Sequence, residues 1–358
     1  MYNKSPANLG EWVVIPSSIV SGDIPILASN FHDMTHHTLT WQQYIDQGLA
    51  ELDIPPSPAM LYEPIRYMLA LGGKRIRPML TLMAADLFSI PNIRHAIPAA
   101  LAVELFHNFS LVHDDIMDHA PLRRGKETVH QKWNANVAIL SGDNLLIMAY
   151  GQLAKCPKDK LPVVLETFNT MATQVCEGQQ LDMDFEGSPA VCIDDYLHMI
   201  QLKTSVLLGA ALKIGAALAD ATDIDAQQLY DFGVNVGIAF QLQDDLLDVY
   251  GDPEQFGKQR GGDILANKKT YLLLKAVETA NPATVSELHD WMEVRDQPEK
   301  KINRITAIYD SLGIRQATEA AKHFYASKAY AALDKINCDE SRKVPLQALA
   351  QHLLDRTK

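Results

Sequence analysis

Two clusters of aspartates, each at the end of an apolar helical run, are the residues best suited to chemistry. Their members are Asp114, Asp115 and Asp118 in NFSLVHDDIMD (108–118) and Asp244, Asp245 and Asp248 in QLQDDLLDVY (241–250). Positions i, i+3 and i+4 share one face of a helix, so each cluster presents its carboxylates together. Like charges beside apolar surface are costly without a counter-charge. A single cluster is equally well explained as a solvated helix end, whereas two copies indicate a bound cation.

Magnesium is the cation that best fits such clusters. Hard divalent cations prefer oxygen ligands, and Mg²⁺ usually binds one or two carboxylates while water and phosphate oxygens fill its other positions. A zinc site would need a set of His and Cys ligands, and the sequence shows no such spacing. Two facing clusters would therefore clamp a diphosphate through several Mg²⁺ ions.

A diphosphate site also requires cations from the protein, because phosphate oxygens are best bound by charged donors. The candidates are Lys74, Arg75 and Arg77 in GGKRIRP, Arg123 and Arg124 in LRRG, Lys203 beside Thr204 in LKTS, and Lys258, Arg260, Lys268 and Lys269 in GKQRGGDILANKK. Taken singly, each is explained as surface charge, but Arg123 and Arg124 follow Asp118 closely. His107, nearly two turns before Asp114, fits either a phosphate donor or a buried core histidine.

The elements that must position these residues are helices. From about residue 38, apolar residues recur every three or four positions, as in VAILSGDNLLIMAYGQLA, and no alternating strand with a hairpin signal is visible. This pattern predicts an all-α fold in one large domain, residues 34–358. Residues 1–33 are rich in Ser, Pro, Asn and Gly and predict an irregular N-terminal extension, with Met34 as a candidate start of the functional chain.

Composition narrows the function classes. The chain has 358 residues, 47% of them hydrophobic and 21% charged, which is typical of a soluble globular protein. A net charge of −12 argues against nucleic acid as a partner. The four cysteines form no CxxC pair and predict reduced thiols. No membrane span or signal peptide is predicted, so a cytoplasmic location is expected.

The ordered motifs resemble those of the trans-isoprenyl diphosphate synthases (polyprenyl synthetases), over roughly residues 60–330. The matching pieces are GGKRIRP, HNFSLVHDDIMD, LRRGKETVH, GQQLDM, LKTSVL, FQLQDDLLD, and GKQRGGDI followed by KKT. The resemblance implies a helical bundle around a deep central cavity, usually a homodimer. It also implies head-to-tail condensation of isopentenyl diphosphate with an allylic diphosphate, with about three Mg²⁺ ions per active site.

The resemblance assigns roles position by position. The expected Mg²⁺ ligands are Asp114, Asp118 and Asp244, supported by Asp115, Asp245 and Asp248. The expected contacts to isopentenyl diphosphate are Lys74, Arg77, His107 and Arg124. The expected contacts to the allylic diphosphate are Arg123, Lys203, Lys258 and Lys268. The Lys203 carbonyl, Thr204 hydroxyl and Gln241 amide would steady the allylic cation beside the reacting carbon.

Product length is expected to depend on the residues just before the first Asp cluster. In the resembling family the fourth and fifth residues before it, here Ser110 and Phe109, act as the cavity floor, and Phe106 is a second candidate one turn below. This pattern favours a C20 product, with C15 as the second choice. Two other functions stay open, a class I terpene cyclase and a non-catalytic subunit. The second Asp cluster and the isopentenyl pocket argue against the first, and two intact Asp clusters argue against the second.

Overall fold

The computed structural model describes residues 40–188, 190–251 and 260–355. The described residues from Trp41 onwards form one compact unit. The predicted extension at residues 1–33, the Met34 start and Lys258 lie outside the described residues.

The predicted all-α fold is confirmed. Within the described ranges the helices are α1 (40–50), α2 (Ala59–Ala70), α3 (Ile76–Leu87), α4 (Ile97–Met117), α5 (Val129–Lys132), α6 (Ala135–Leu153), α7 (Leu161–Gly187), α8 (Ile193–Ile200), α9 (Val206–Leu218), α10 (Asp223–Tyr250), α11 (Gly262–Leu265), α12 (Tyr271–Thr279), α13 (Pro282–Glu293), α14 (Pro298–Ser311), α15 (Ile314–Asp334) and α16 (Glu340–Leu354). A 3₁₀ turn spans Ile93–His95 and a π turn Gln201–Ser205.

Side chains at the helix starts explain why two of the long helices begin where they do. Asn134 accepts a hydrogen bond from the Val137 N–H at the start of α6, and Thr222 accepts one from the Asp225 N–H at the start of α10. Each cap satisfies one of the N–H groups that a first helical turn leaves without a partner.

The main core lies where α3, α4, α6, α7, α9 and α10 pack together. Leu82, Phe106, Phe168 and Leu212 are almost fully buried in it, as are many alanines of α4 and α9. Burial of this apolar surface is the principal stabilising term. The Asp clusters lie at the C-terminal ends of α4 and α10. Because both helices pack into this core, the core fixes the positions of the two clusters.

A short hairpin between α4 and α5 was missed by the sequence pattern. Leu122–Arg123 pairs antiparallel with Lys126–Glu127, and the turn residues Arg124 and Gly125 have φ of 53° and 73°. Positive φ at both turn positions is the mark of a type I′ turn, which Asn-Gly usually signals. Arginine at the first position carries no such signal. The hairpin places two arginines directly beside the end of α4.

One continuous stretch among the described residues, Ile193–Leu218, is long and apolar enough to cross a bilayer, with a mean hydropathy of 1.2 over its most apolar window. Of that window, 78% is buried inside the protein, as in the core helix of a soluble protein.

Candidate active site

Carboxylates from two helices meet a lysine at the end of α4. The Lys203 ammonium lies 3.2 Å from Asp114 Oδ1 and 2.6 Å from Asp182 Oδ2. Partial burial and the neighbouring charge of Asp114 raise the pKa of Asp118, although Lys203 and Lys268 oppose this rise. Burial is the larger cause of this rise, and the carboxylates of Asp114 and Asp182 add to it, an arrangement that favours a further cation at this point.

Asp182, on α7, was not singled out from the sequence. It belongs to the GQQLDM piece that carried part of the resemblance, one turn after Gly178 on the same helix. The signal was therefore present, but a lone aspartate in a polar helix is ordinarily read as surface charge. Its ion pair with Lys203 places it in the same site as Asp114 and Asp118.

The second aspartate of each cluster points into the protein. Arg123 donates from Nε and Nη2 to buried Asp115 at 2.7–3.0 Å, and its Nη2 is 3.9 Å from Asp114. Asp245 accepts from the Tyr196 hydroxyl at 2.5 Å and from the Gln241 amide at 3.2 Å. Burial raises the pKa of Asp245 to about 8. Both carboxylates are held by neighbouring side chains, and the supporting role expected for them stays a prediction.

Lys268 is influenced both by the first cluster and by Asp263, which contacts the second cluster. Asp248 Oδ2 accepts the backbone N–H of Asp263 at 3.1 Å, which ties the end of α10 to the start of α11. Burial lowers the pKa of Lys268, but the carboxylates of Asp263, Asp118 and Asp182 outweigh it and raise the pKa. Lys268 therefore lies within electrostatic reach of both sides of the site. Asp244 stands one turn before Asp248 on α10.

Lys203 and Thr204 occupy a π turn that two glycines allow to form. A Cβ on Gly178 of α7 would lie 2.2 Å from the Lys203 backbone nitrogen, and one on Gly237 of α10 would lie 2.7 Å from Ser205 Cα. Both helices thus approach the turn backbone to backbone. The Ser205 hydroxyl donates to the Ile200 carbonyl at 3.3 Å inside the widened turn. π turns within helices are frequent at functional sites, because they redirect side chains.

A second group, made of cationic residues, gathers around His107, about two turns before Asp114 on α4. Arg77 Nη1 is 3.1 Å from His107 Nε2, and since arginine only donates, this nitrogen accepts and the imidazole is neutral. Burial, followed by the charges of Arg77, Arg123 and Arg124, lowers the pKa of His107 well below its usual value. Burial also lowers the pKa of Arg77 to about 10, and Arg124 adds to that effect. Mutually repelling cations of this kind are stabilised by a bound anion.

The basic residues of GGKRIRP, in the turn before α3, make different contacts and so have different roles. Arg75 donates to buried Glu104 at 2.5 Å and to the Leu69 carbonyl at 2.8 Å, so it holds α3 to α4. Arg124 donates to the Gly72 carbonyl, and a Cβ on Gly73 would lie 2.8 Å from its Nη2. Lys74 is exposed at the same turn. The fold therefore brings Arg77, His107 and Arg124 together, and Lys74 lies at the turn that Arg124 contacts.

A cavity of about 320 Å³ runs from the acidic cluster along α4. It is lined by Asp114, Ser110, Phe109 and His113 from α4, by Lys203 and Thr204 from the π turn, and by Val175, Cys176, Gln179 and Met183 from α7, among others. The α7 residues were not predicted, because nothing in their types marks a cavity wall. Phe106 is buried behind Phe109, with ring centroids 5.5 Å apart, and does not line the cavity. The predicted second floor is therefore a support for the first.

The acidic site fits magnesium in donor chemistry. Asp114 Oδ1 is buried and accepts no hydrogen bond, and its neighbour is the Lys203 ammonium, 3.2 Å away as an ion pair. Within the described ranges no three His, Cys, Asp or Glu side chains form a ready-made metal cage. Mg²⁺ binds through few carboxylates and needs no such cage, since water and substrate phosphate complete its shell. Asp114 and Asp118, with Asp244 on α10, are the residues that would hold it.

Comparisons with known proteins agree with this geometry. The family model for polyprenyl synthetases matches residues 58–311. The geranylgeranyl diphosphate synthase of Methanosarcina mazei is 43% identical over 237 residues, 66% of this chain and 73% of its own. The geranylfarnesyl diphosphate synthase of Natronomonas pharaonis is 36% identical over 252 residues, 66% of this chain and 74% of its own.

Comparison with a solved structure also places the fold of this chain among the prenyl diphosphate synthases. The geranylgeranyl pyrophosphate synthetase of Pyrococcus horikoshii superposes with a TM-score of 0.84 at 33% identity, covering 91% of this chain and 99% of its own. The predicted resemblance to trans-isoprenyl diphosphate synthases, and the prenyltransferase class that it implies, are confirmed by these matches. The chain belongs to the polyprenyl synthetase family.

Proposed function

We propose that this prenyltransferase condenses isopentenyl diphosphate with an allylic diphosphate and releases a C20 prenyl diphosphate. The observation that carries the proposal is that two unlike anion sites meet along one cavity beside α4. In one, cationic Arg77 and Arg124 lie beside neutral His107. The other combines Asp114, Asp118 and Asp182 with Lys203 and Lys268 and needs added cations to accept a phosphate.

The two sites divide the substrates by what must happen to each diphosphate. Isopentenyl diphosphate keeps its diphosphate, so direct binding by Arg77, Arg124, His107 and Lys74 suffices. The allylic diphosphate must leave, and the charge that develops on it needs stronger neutralisation. When bound at Asp114, Asp118 and Asp244, Mg²⁺ would supply that neutralisation as a Lewis acid. Arg123 is hydrogen-bonded to Asp115. Its expected contact with the allylic diphosphate therefore stays a prediction.

The chain's own dipoles suit the reacting carbon. Gln241 donates its amide N–H to Asp245, which leaves its carbonyl oxygen as the end that can face a carbocation. Thr204 lines the cavity next to Lys203, so its hydroxyl oxygen is available for the same purpose. The allylic carbon–oxygen bond breaks and its electron pair leaves with the diphosphate, the double bond of isopentenyl diphosphate attacks the allylic cation, and the released diphosphate takes up the proton that is lost. Fixing both substrates in this geometry supplies much of the acceleration.

The aromatic ring of Phe109 supports C20 as the first choice of product. It lines the cavity, and the Phe106 ring 5.5 Å behind it keeps it from retreating. Relatives named for geranylgeranyl and for geranylfarnesyl products both resemble the chain, so the wall of this cavity decides between C20 and C25. The intact pocket for isopentenyl diphosphate favours chain elongation over cyclisation.

One incubation tests the proposal. Purified protein receives radiolabelled isopentenyl diphosphate, dimethylallyl diphosphate and Mg²⁺, with a parallel reaction in chelator, and products are sized by chromatography after phosphatase treatment. A chelator-sensitive C20 product is expected. The absence of any elongated product with dimethylallyl, geranyl or farnesyl starters would overturn the proposal and favour the cyclase or non-catalytic alternatives.

A second copy of the chain is the partner that the surface of α6 suits best. Ile139, Leu140 and Ile147 are 44%, 58% and 65% exposed, and Leu140 and Ile147, seven residues apart, share one face. Contiguous exposed apolar side chains mark interaction surfaces. Sedimentation velocity should give a dimer, and Ile147→Lys should shift it toward monomer. A monomeric wild-type protein would contradict this part of the proposal.

A further inference from the structure

The imidazole of His113 is held between two helices beside the chain cavity. Its ring centroid is 4.7 Å from that of Phe109, one turn earlier on α4. Its Nε2 lies 3.1 Å from the backbone carbonyl of Ile139 on α6 and 3.6 Å from Asp143 Oδ1. Because a carbonyl only accepts, Nε2 carries the proton and donates to it. These contacts draw the ring against α6, and its remaining exposed face lines the cavity.

The ring occupies the space that a side chain on Gly142 would fill. A Cβ on Gly142 would lie 2.4 Å from His113 Nε2 and 2.5 Å from His113 Cδ2. The obstacle is the far end of a side chain that rotates, so a larger residue at 142 would displace the ring and leave the backbone in place. A glycine inside a helix is destabilising relative to alanine. A close packing contact is the usual reason for accepting that cost, and here the contact is the imidazole.

We propose that Gly142 and His113 form a second determinant of product length. His113 is part of the wall that touches the growing prenyl chain, and Gly142 is a positioning residue that lets the imidazole withdraw against α6. Phe109 closes the route along α4 and α6 closes the route behind, so a displaced ring moves into the cavity. The inference rests on the proposed function, since it concerns the chain that this reaction builds.

The test is product length in Gly142→Ala. Its matched control is Gly151→Ala on the same helix, where a Cβ would meet nothing within 4 Å. Each variant is incubated with isopentenyl diphosphate, dimethylallyl diphosphate and Mg²⁺, and the ratio of the main product to the next shorter one is measured. Pockets discriminate single apolar groups by tenfold or more, so Gly142→Ala should lower this ratio at least about tenfold. Gly151→Ala should keep the wild-type ratio.

His113→Ala provides the opposite perturbation and remains informative if Gly142→Ala fails to fold. It should lengthen the product by opening the wall. In the double variant Gly142→Ala/His113→Ala, product length should equal that of His113→Ala alone, because Gly142 acts only through the imidazole. A further shortening in the double variant would overturn the positioning role.

The outcomes separate this inference from the proposed function. If wild type elongates isopentenyl diphosphate but Gly142→Ala and His113→Ala keep its product distribution, the inference alone is wrong. If wild type elongates nothing, the proposed function itself has failed.

Discussion

Gly178→Ala is the sharpest test of how the fold builds this active site. The substitution adds one methyl group at the point where α7 meets the π turn that carries Lys203 and Thr204. Its Cβ would lie 2.2 Å from the Lys203 nitrogen, 2.6 Å from Lys203 Cα and 2.7 Å from the Leu202 carbonyl carbon. All three obstacles are backbone atoms, so no rotation of a side chain can relieve the overlap.

The magnitude follows from that overlap. Real Cβ atoms keep at least 3.0 Å from other heavy atoms, so the π turn must retreat by about 0.8 Å. A misplacement of about 1 Å in a catalytic geometry can lower the rate about 100-fold. Overpacking of a dense interior costs about 1–3 kcal/mol, while the helix propensity of alanine returns up to about 1 kcal/mol. We therefore expect kcat to fall about 100-fold, with a loss of stability of at most about 3 kcal/mol.

Steady-state elongation and urea unfolding measure both quantities. Gly151→Ala is the matched control, because alanine there adds helix propensity without an overlap. It should unfold at an equal or higher urea concentration and keep the wild-type kcat. If Gly178→Ala keeps kcat within threefold of wild type while folded, the π turn does not need its present position, and the argument from close approach is refuted.

Three further predictions concern the two sites and the cavity. Phe109→Ala should lengthen the product by at least one five-carbon unit, since the ring lines the cavity; an unchanged product would remove Phe109 from the floor. Asp114→Asn should lower kcat at least about 100-fold with a nearly unchanged unfolding midpoint, because Lys203 keeps Asp182 at 2.6 Å; retained activity would contradict the metal assignment. Burial raises the pKa of Asp245 from 3.8 to about 8, so the native state binds the extra proton and stability falls as pH rises across that window. Asp245→Asn should abolish this fall, which amounts to about 1.4 kcal/mol per pH unit, and equal pH slopes for both proteins in urea unfolding would contradict the assigned burial.

The helical class and the Asp clusters were predictable because each depends on neighbours within one or two turns. Periodicity of apolar residues over α4, α6 and α9 indicates helices without reference to the rest of the chain. The spacing of Asp114 and Asp118 places both carboxylates on one face for the same reason. The hairpin at 122–127 was not predictable in this way, because its turn begins with Arg124 and not with the Asn or Asp that usually signals a tight turn.

The different roles of neighbouring residues within one motif were not predictable from the sequence. Arg75 and Arg77 are two residues apart and equally basic, yet one is fixed to buried Glu104 and the other reaches His107. Likewise Asp114 faces Lys203 while its neighbour Asp115 is sealed under Arg123. These differences depend on partners 8 to about 90 positions away, which no local pattern specifies.

The sequence by itself determined the helical class and the two acidic clusters, because residue types and short-range spacing carry that information, and the order of its motifs carried the resemblance to the polyprenyl synthetases. Tertiary structure alone decided that Asp182 joins the first cluster, that Gly178 and Gly237 make room for the π turn, and that Gly142 seats His113 against α6. The physical reason is that close approach and burial arise only when distant helices pack, and they set which charges pair and which side chains reach the cavity.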